Sequence, residues 1–323
     1  MPLLASYFTS ACSNVEPPKD DVSNAASAHQ EVRKVLEADG TLKLWGIDTV
    51  LIGSYSRHTS IRRVNDVDVF CQLPDIDTSK SSRQVLGEVV SVLRDEFDDR
   101  VKVQDRSVKV DFPDFGLHID AVPARPAGTC WEIPDHSTRS TDWQKTNPVE
   151  FGTLTTAMNK ANDDLYVPVT KLVRQTRRAH LGKRPGGLYF EILTYHAFSA
   201  GISGSLTERY VAVLNSIATQ LEDVVDGGDV DDPSMPDEVI TVRATQAQFE
   251  DAAAKFRSLA TTAQDALDID DDCGAAAEFR KLLGQRTDDQ EWVFPMPDYC
   301  NEDGTKRYTQ AGLAVVPSSG RFA

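Results

Sequence analysis

Cysteine is scarce and dispersed in this chain: five residues, at positions 12, 71, 130, 273 and 300, with no Cys-x-x-Cys pair. An odd, scattered set of this kind predicts neither a disulfide framework nor a structural zinc site. The six histidines contain no His-Glu-x-x-His, so a zinc hydrolase has no support. Long apolar runs are missing. The mildly apolar segment from Met1 to Phe8 has no basic flank and no extended apolar stretch, so neither a signal peptide nor a bilayer span is expected, and a cytoplasmic location is the default. Positive charge is also in deficit, with 34 Lys and Arg against 50 Asp and Glu, a net −16. Gripping a long nucleic acid requires a basic field, so no such polymer is an expected partner.

Against these absences one stretch is rich in chemistry. Val50-Leu51-Ile52 reads as a short buried strand, and Gly53-Ser54 after it is small enough for backbone amides to approach an anion. A helix starting there would turn its N-terminal N–H groups toward phosphates. Eleven residues later comes Asn65-Asp66-Val67-Asp68-Val69-Phe70, whose alternation places Asp66 and Asp68 on one face of a strand and Val67 and Val69 on the other. Two carboxylates on one face repel unless a cation lies between them, and magnesium, which takes oxygen ligands and bridges carboxylate to phosphate, suits the position. In Leu117-His118-Ile119-Asp120 the same parity adds a third carboxylate, Asp120. Three such groups predict a two-ion magnesium or manganese site for attack on a nucleoside triphosphate, with Asp120 as metal ligand or base.

Other motifs fail on spacing. Asp268 to Gly274 has the glycine one place late for a calcium loop, and Phe279 stands where the closing Glu belongs. Gly182-Lys183-Arg184-Pro185-Gly186-Gly187 has the wrong order for a Walker loop and reads as a helix-ending turn.

Leu51 to Phe70 together with Leu117 to Pro123 resembles the polymerase-β-like nucleotidyltransferase superfamily. Further along, Trp143-Gln144-Lys145-Thr146-Asn147-Pro148, then Val167 to Arg174, then Gly186 to Leu193, resemble landmarks of the cGAS/DncV-like nucleotidyltransferases of bacterial antiphage signalling. The resemblance implies an α/β (α+β) fold: a nucleotidyltransferase lobe with a mixed sheet, followed by a helical lobe. It implies a cyclic di- or trinucleotide synthase that uses nucleoside triphosphates, releases pyrophosphate and signals to a downstream effector recognising the ring. Transfer to a small-molecule or protein acceptor, a linear oligonucleotide product and a non-catalytic nucleotide sensor are the alternatives. It carries the phosphate pair onto Gly53 and Ser54, and the metal triad onto Asp66, Asp68 and Asp120. A basic triphosphate contact falls on Lys171 or Arg174, three apart on one helical face. Many relatives carry Ser and then an aromatic where this chain has Gly187 and Leu188, so the base-stacking platform is either missing or supplied by Tyr189.

The expected organisation is a flexible N-terminal segment 1–23, a nucleotidyltransferase core 24–165, a helical lobe 166–295 and a loosely packed tail 296–323. Helices are expected over 24–39, stopped by Gly40, over 82–97, and across most of 167–220, 244–267 and 275–283. Between them, the acidic stretch from Glu222 to Glu238 reads as a solvated, mobile loop.

Overall fold

A computed structural model describes residues 4–137 and 142–307. Its chain order begins with helices α1 (Ala5–Val15), α2 (Lys19–Ala38) and α3 (Gly40–Leu44), strand β1 (Asp48–Ile52), one helical turn α4 (Gly53–Ser56) and strand β2 (Asp66–Gln72). Helix α5 (Ser82–Phe97) is followed by strands β3 (Val101–Val103), β4 (Val108–Phe112), β5 (Leu117–Ala127), β6 (Cys130–Pro134) and β7 (Trp143–Thr146). The remainder is helical: α6 (Pro148–Ala161), α7 (Tyr166–His180), α8 (Gly187–Ser199), α9 (Leu206–Val225), α10 (Gln246–Asp268) and α11 (Asp272–Leu283).

The sheet is mixed, in the order β1-β2-β5-β4-β3, with β6 and β7 continuing from the far end of β5. Only β2 and β5 run parallel; the other pairs are antiparallel. One sheet face packs on α2 and α5 through Val32, Leu36, Val67, Val69, Val89, Leu93 and Ile119, all buried. The opposite face carries Asp66, Asp68 and Asp120, which line a cavity, and beyond them Phe70, Val122 and Ala124, buried in a small apolar cluster. α5 starts where a sequence reading places it because Ser81 and Gln84 form a capping box.

A second apolar core lies among α7 to α11, around Phe190, Tyr210, Phe256 and Phe279. Capping boxes at Ser205/Glu208 and Thr245/Gln248 set the starts of α9 and α10. Residues 4–15 differ from the flexible segment expected: Phe8 and Val15 of α1 are buried in this helical core, and Phe8 stacks edge-on against Phe279 at 4.8 Å between centroids. Gly40 does not end a helix; α2 ends at Ala38, and Asp39 then caps the short α3 by accepting from the Leu42 amide at 2.8 Å. Nor is the tail loose as far as 307. Cys300 is buried, the Arg307 amide donates to the Tyr299 carbonyl at 2.8 Å, and Cys300 is joined to Cys273 of α11 by a disulfide, a pairing that scattered spacing concealed. The remainder of the expected tail, 308–323, lies outside the described residues, as do 1–3. No described helix is long and apolar enough to cross a membrane.

Candidate active site

β1 runs directly into Gly53, whose φ of +74° is available to glycine at little cost. A side chain there would also collide: a Cβ on Gly53 would stand 2.0 Å from Asp68 Oδ2. The Gly53–Ser54 turn and the β2 carboxylates are therefore in contact, and glycine is required for both reasons. The helix expected after Gly-Ser is only the single turn of α4, so its dipole is small and any anion held here would depend on individual backbone amides. The turn is braced from within, with the Thr59 and Ser60 amides donating to the Ser54 carbonyl at 2.9 and 3.1 Å.

Parallel pairing of β2 with β5 sets Asp66 opposite His118 and Asp68 opposite Asp120. All three carboxylates line one cavity of ≈ 480 Å³, together with Gly53 and Ser54. Burial, then the charges of Asp66 and Asp120, push the Asp68 carboxyl up to about 7, with Arg57 and His118 offsetting part of the rise. His118 Nε2 lies 3.6 Å from Asp120 Oδ2, and the Ser107 hydroxyl donates to Asp120 Oδ1 at 3.5 Å. Among the described residues, no three His, Cys, Asp or Glu side chains are drawn close enough to enclose a metal ion. The carboxylates form one wall of the cavity instead. Their chemistry nonetheless fits a hard divalent cation: the donors are carboxylate oxygens, and besides the burial that raises Asp68, the crowded charges of Asp66 and Asp120 are ones such a cation would relieve.

The two basic candidates separate. Arg174 lines the cavity beside Gly187 and Leu188, whereas Lys171 is 6% exposed and points away, its Nζ donating to both Glu16 carboxylate oxygens at 2.6 and 2.5 Å. Tyr189 is likewise unavailable as a stacking platform, being 2% exposed in the helical core. Leu188, half exposed, faces the cavity in its place, with Ile192 behind it.

Several lining residues carry no sequence motif. Asp232, Ser234 and Ile240 belong to or follow the acidic stretch expected to be mobile. That stretch is instead pinned by a bridge between Asp231 and Val239, by His196 Nε2 against the Asp231 carbonyl at 2.9 Å and by Lys145 to Glu238 at 2.8 Å. Arg106, also lining the cavity, pairs with Asp135 at 2.8 Å. Arg57 opens a basic cluster, Arg57 to Arg63, that the sequence sets near the triphosphate, but its partner Glu191 was unmarked, although a glutamate inside Tyr189-Phe190-Glu191-Ile192-Leu193 is a detectable anomaly in an apolar run.

A glycine turn abutting paired strand carboxylates, on a mixed sheet joined to a helical lobe, is the arrangement expected of a polymerase-β-like nucleotidyltransferase fold. Residues 1–162 match the Second Messenger Oligonucleotide or Dinucleotide Synthetase domain, and the chain belongs to that family. It is 27% identical over 293 residues to a cyclic AMP-AMP-AMP synthase from Acinetobacter sp., spanning 86% of this chain and 84% of that protein. Its fold matches the Escherichia coli MS115-1 CdnC structure with ATP at a TM-score of 0.70 and 18% identity, covering 90% of this chain and 98% of that one. The Bradyrhizobium diazoefficiens CdnG structure with GTP matches at 0.68 and 17% identity, over 81% and 92% of the two chains.

Proposed function

We propose that this chain joins nucleoside triphosphates, with release of pyrophosphate at each bond, and closes the product into a cyclic oligonucleotide second messenger. The observation that carries this reading is the shared wall of Asp66, Asp68 and Asp120 against Gly53 and Ser54. In this reading Asp66, Asp68 and Asp120 hold magnesium or manganese, two ions in all, which when bound would neutralise phosphate charge and acidify the attacking hydroxyl. Amides of the Gly53–Ser54 turn receive the donor phosphates, and Arg174 meets their outer oxygens. Asp120, oriented by Ser107, directs the attacking hydroxyl and accepts its proton. Leu188, Ile192 and Ile240 supply apolar walls that exclude water from the base.

The Acinetobacter relative's product makes ATP the first substrate to test and a ring of three AMP units the first product to seek. Antiphage defence in the cytoplasm, through an effector that recognises the ring, is the setting this reading assigns. The test is incubation of purified protein with labelled nucleoside triphosphates and magnesium. Phosphatase-resistant oligonucleotide is the expected outcome. A phosphatase-sensitive oligomer, or label on another acceptor, replaces cyclisation with linear synthesis or transfer, and turnover-free binding would make the protein a sensor.

A further inference from the structure

Glu191 is wholly buried in the middle of α8. A carboxylate there costs several kcal/mol unless it is paired and hydrogen-bonded. Its partners come from both lobes. Arg57, just after α4, donates from Nε to Oε1 at 2.7 Å and from Nη2 to Oε2 at 3.1 Å. The Thr59 hydroxyl donates to Oε2 at 3.1 Å, and Arg174 Nη1 of α7 lies 3.4 Å from the same oxygen. Burial raises the Glu191 carboxyl, but Arg57, Arg174 and Thr59 outweigh it and hold the group below its ordinary range, so it is ionised.

One carboxylate between two guanidiniums leaves a net positive charge, and both guanidiniums border the cavity that holds Ser54 and Asp68. Arg174 Nε finds no hydrogen-bond partner among the described residues. Gly187 leaves room for it, since a Cβ there would press on the Arg174 guanidinium at 3.3 Å.

We propose that Glu191 is a positioning residue: it holds Arg57 and Arg174 together against their mutual repulsion, so that the helical lobe presents Arg174 to the phosphates received at Gly53–Ser54. This rests on the nucleotidyltransferase reading of that turn. Glu191 itself touches no substrate. A carboxylate that merely joined two lobes would affect folding and leave the preference for triphosphate over monophosphate intact.

The test measures binding of a non-hydrolysable ATP analogue and of AMP, with magnesium, to the full chain and to E191Q, E191D, R174A and E191Q/R174A, each checked for native circular dichroism. If the parent chain shows no preference for the triphosphate, the nucleotidyltransferase reading fails first. Given that preference, E191Q should reduce it roughly 10-fold, the scale of a charge-assisted contact, with AMP affinity kept within about twofold. In turnover the same variant should raise KM more than it lowers kcat. The double variant should lose no more than about twofold beyond R174A, because both changes act through one contact. E191D keeps the buried charge while shortening its reach, so it covers the case in which E191Q does not fold, and it should still lose roughly fivefold. Full triphosphate preference in the folded variants, equal losses for both ligands, or additive losses in the double variant would overturn the proposal.

Discussion

Asp68 of β2 and Asp120 of β5 are register partners across the one parallel pair in the described sheet, which puts both on the face that lines the cavity while Val67, Val69 and Ile119 are fully buried on the other. The candidate site and the main sheet core thus lie on opposite parities of the same strands. Replacing Asp66 and Asp68 by Asn changes only the cavity side, so far-ultraviolet circular dichroism should be unchanged while product formation falls roughly 10³-fold or more. Retained synthesis in that double variant would remove these residues from the reaction.

The crowding of carboxylates also sets a pH dependence. An unfolded Asp titrates near about 3.9, but native Asp68 holds its proton up to about 7. The raised pKa contributes stability that is complete below the unfolded value and is lost as pH rises through 7. A cation needs the ionised form, so magnesium should raise the melting temperature more at about pH 8 than at about pH 6, with proton release on binding. Asp68→Asn should raise the stability of the metal-free protein at about pH 8 by roughly 2–4 kcal/mol, the scale of a shift of about three pKa units. A magnesium effect independent of pH would separate Asp68 from the ion.

Gly53 combines a positive φ with a Cβ position 2.0 Å from Asp68 Oδ2. Gly53→Ala must therefore displace either the Gly53–Ser54 turn or the Asp68 carboxylate. An ångström-scale displacement of that kind should cost about 100-fold in rate, with a stability loss of about 1–3 kcal/mol from backbone strain. Steady-state kinetics and urea denaturation separate the two effects. A variant with parental kcat would show that the contact is not functional.

Much of this site was legible because its signals are local. Gly53-Ser54 and the alternation of Asp66 and Asp68 depend on neighbours in sequence, and Asp120 follows the same two-residue period. The landmark stretches Trp143 to Pro148 and Gly186 to Leu193 fall on β7, α6 and α8. What was not legible depends on contacts between distant segments. Lys171 and Arg174 share a helical face, yet only the position of Glu16, 155 residues from Lys171 in sequence, turns that lysine out of the cavity. Glu222 to Glu238 has the composition of a solvated loop, and its anchors His196 and Lys145 lie on other elements. Cys273 and Cys300 had no spacing signature, because the chain between them returns along α11 only in three dimensions.

The disulfide closes 27 residues of chain and ties the buried Cys300 to α11. Under oxidising conditions Cys300→Ser should lower stability by about 3 kcal/mol, read by denaturant melts. Reductant should bring the parent chain close to the variant. Neither cysteine lines the cavity that holds Gly53 and Asp68, so turnover by folded protein should change by less than about twofold. An equal stability difference with and without reductant would assign the loss to packing of the Cys300 side chain.

Lys171 and Arg174 provide the sharpest division, because a helical face assigns both to one role and their surroundings assign them to two. Arg174 borders the cavity with an Nε that has no partner among the described residues, while the Lys171 side chain, 7% exposed, spends its charge on Glu16. Arg174→Ala removes a guanidinium from the cavity wall and, on the proposed role, should raise the KM for ATP roughly 10-fold. Lys171→Met keeps the aliphatic stem and loses the ion pair to the half-exposed Glu16, so stability should fall by roughly 1 kcal/mol, with KM within about twofold of the parent. The two substitutions combined should be additive in both quantities, since Lys171 acts on the α1–α7 packing and Arg174 on the ligand. A KM rise in Lys171→Met that matches Arg174→Ala would mean that the lysine leaves Glu16 when the triphosphate binds.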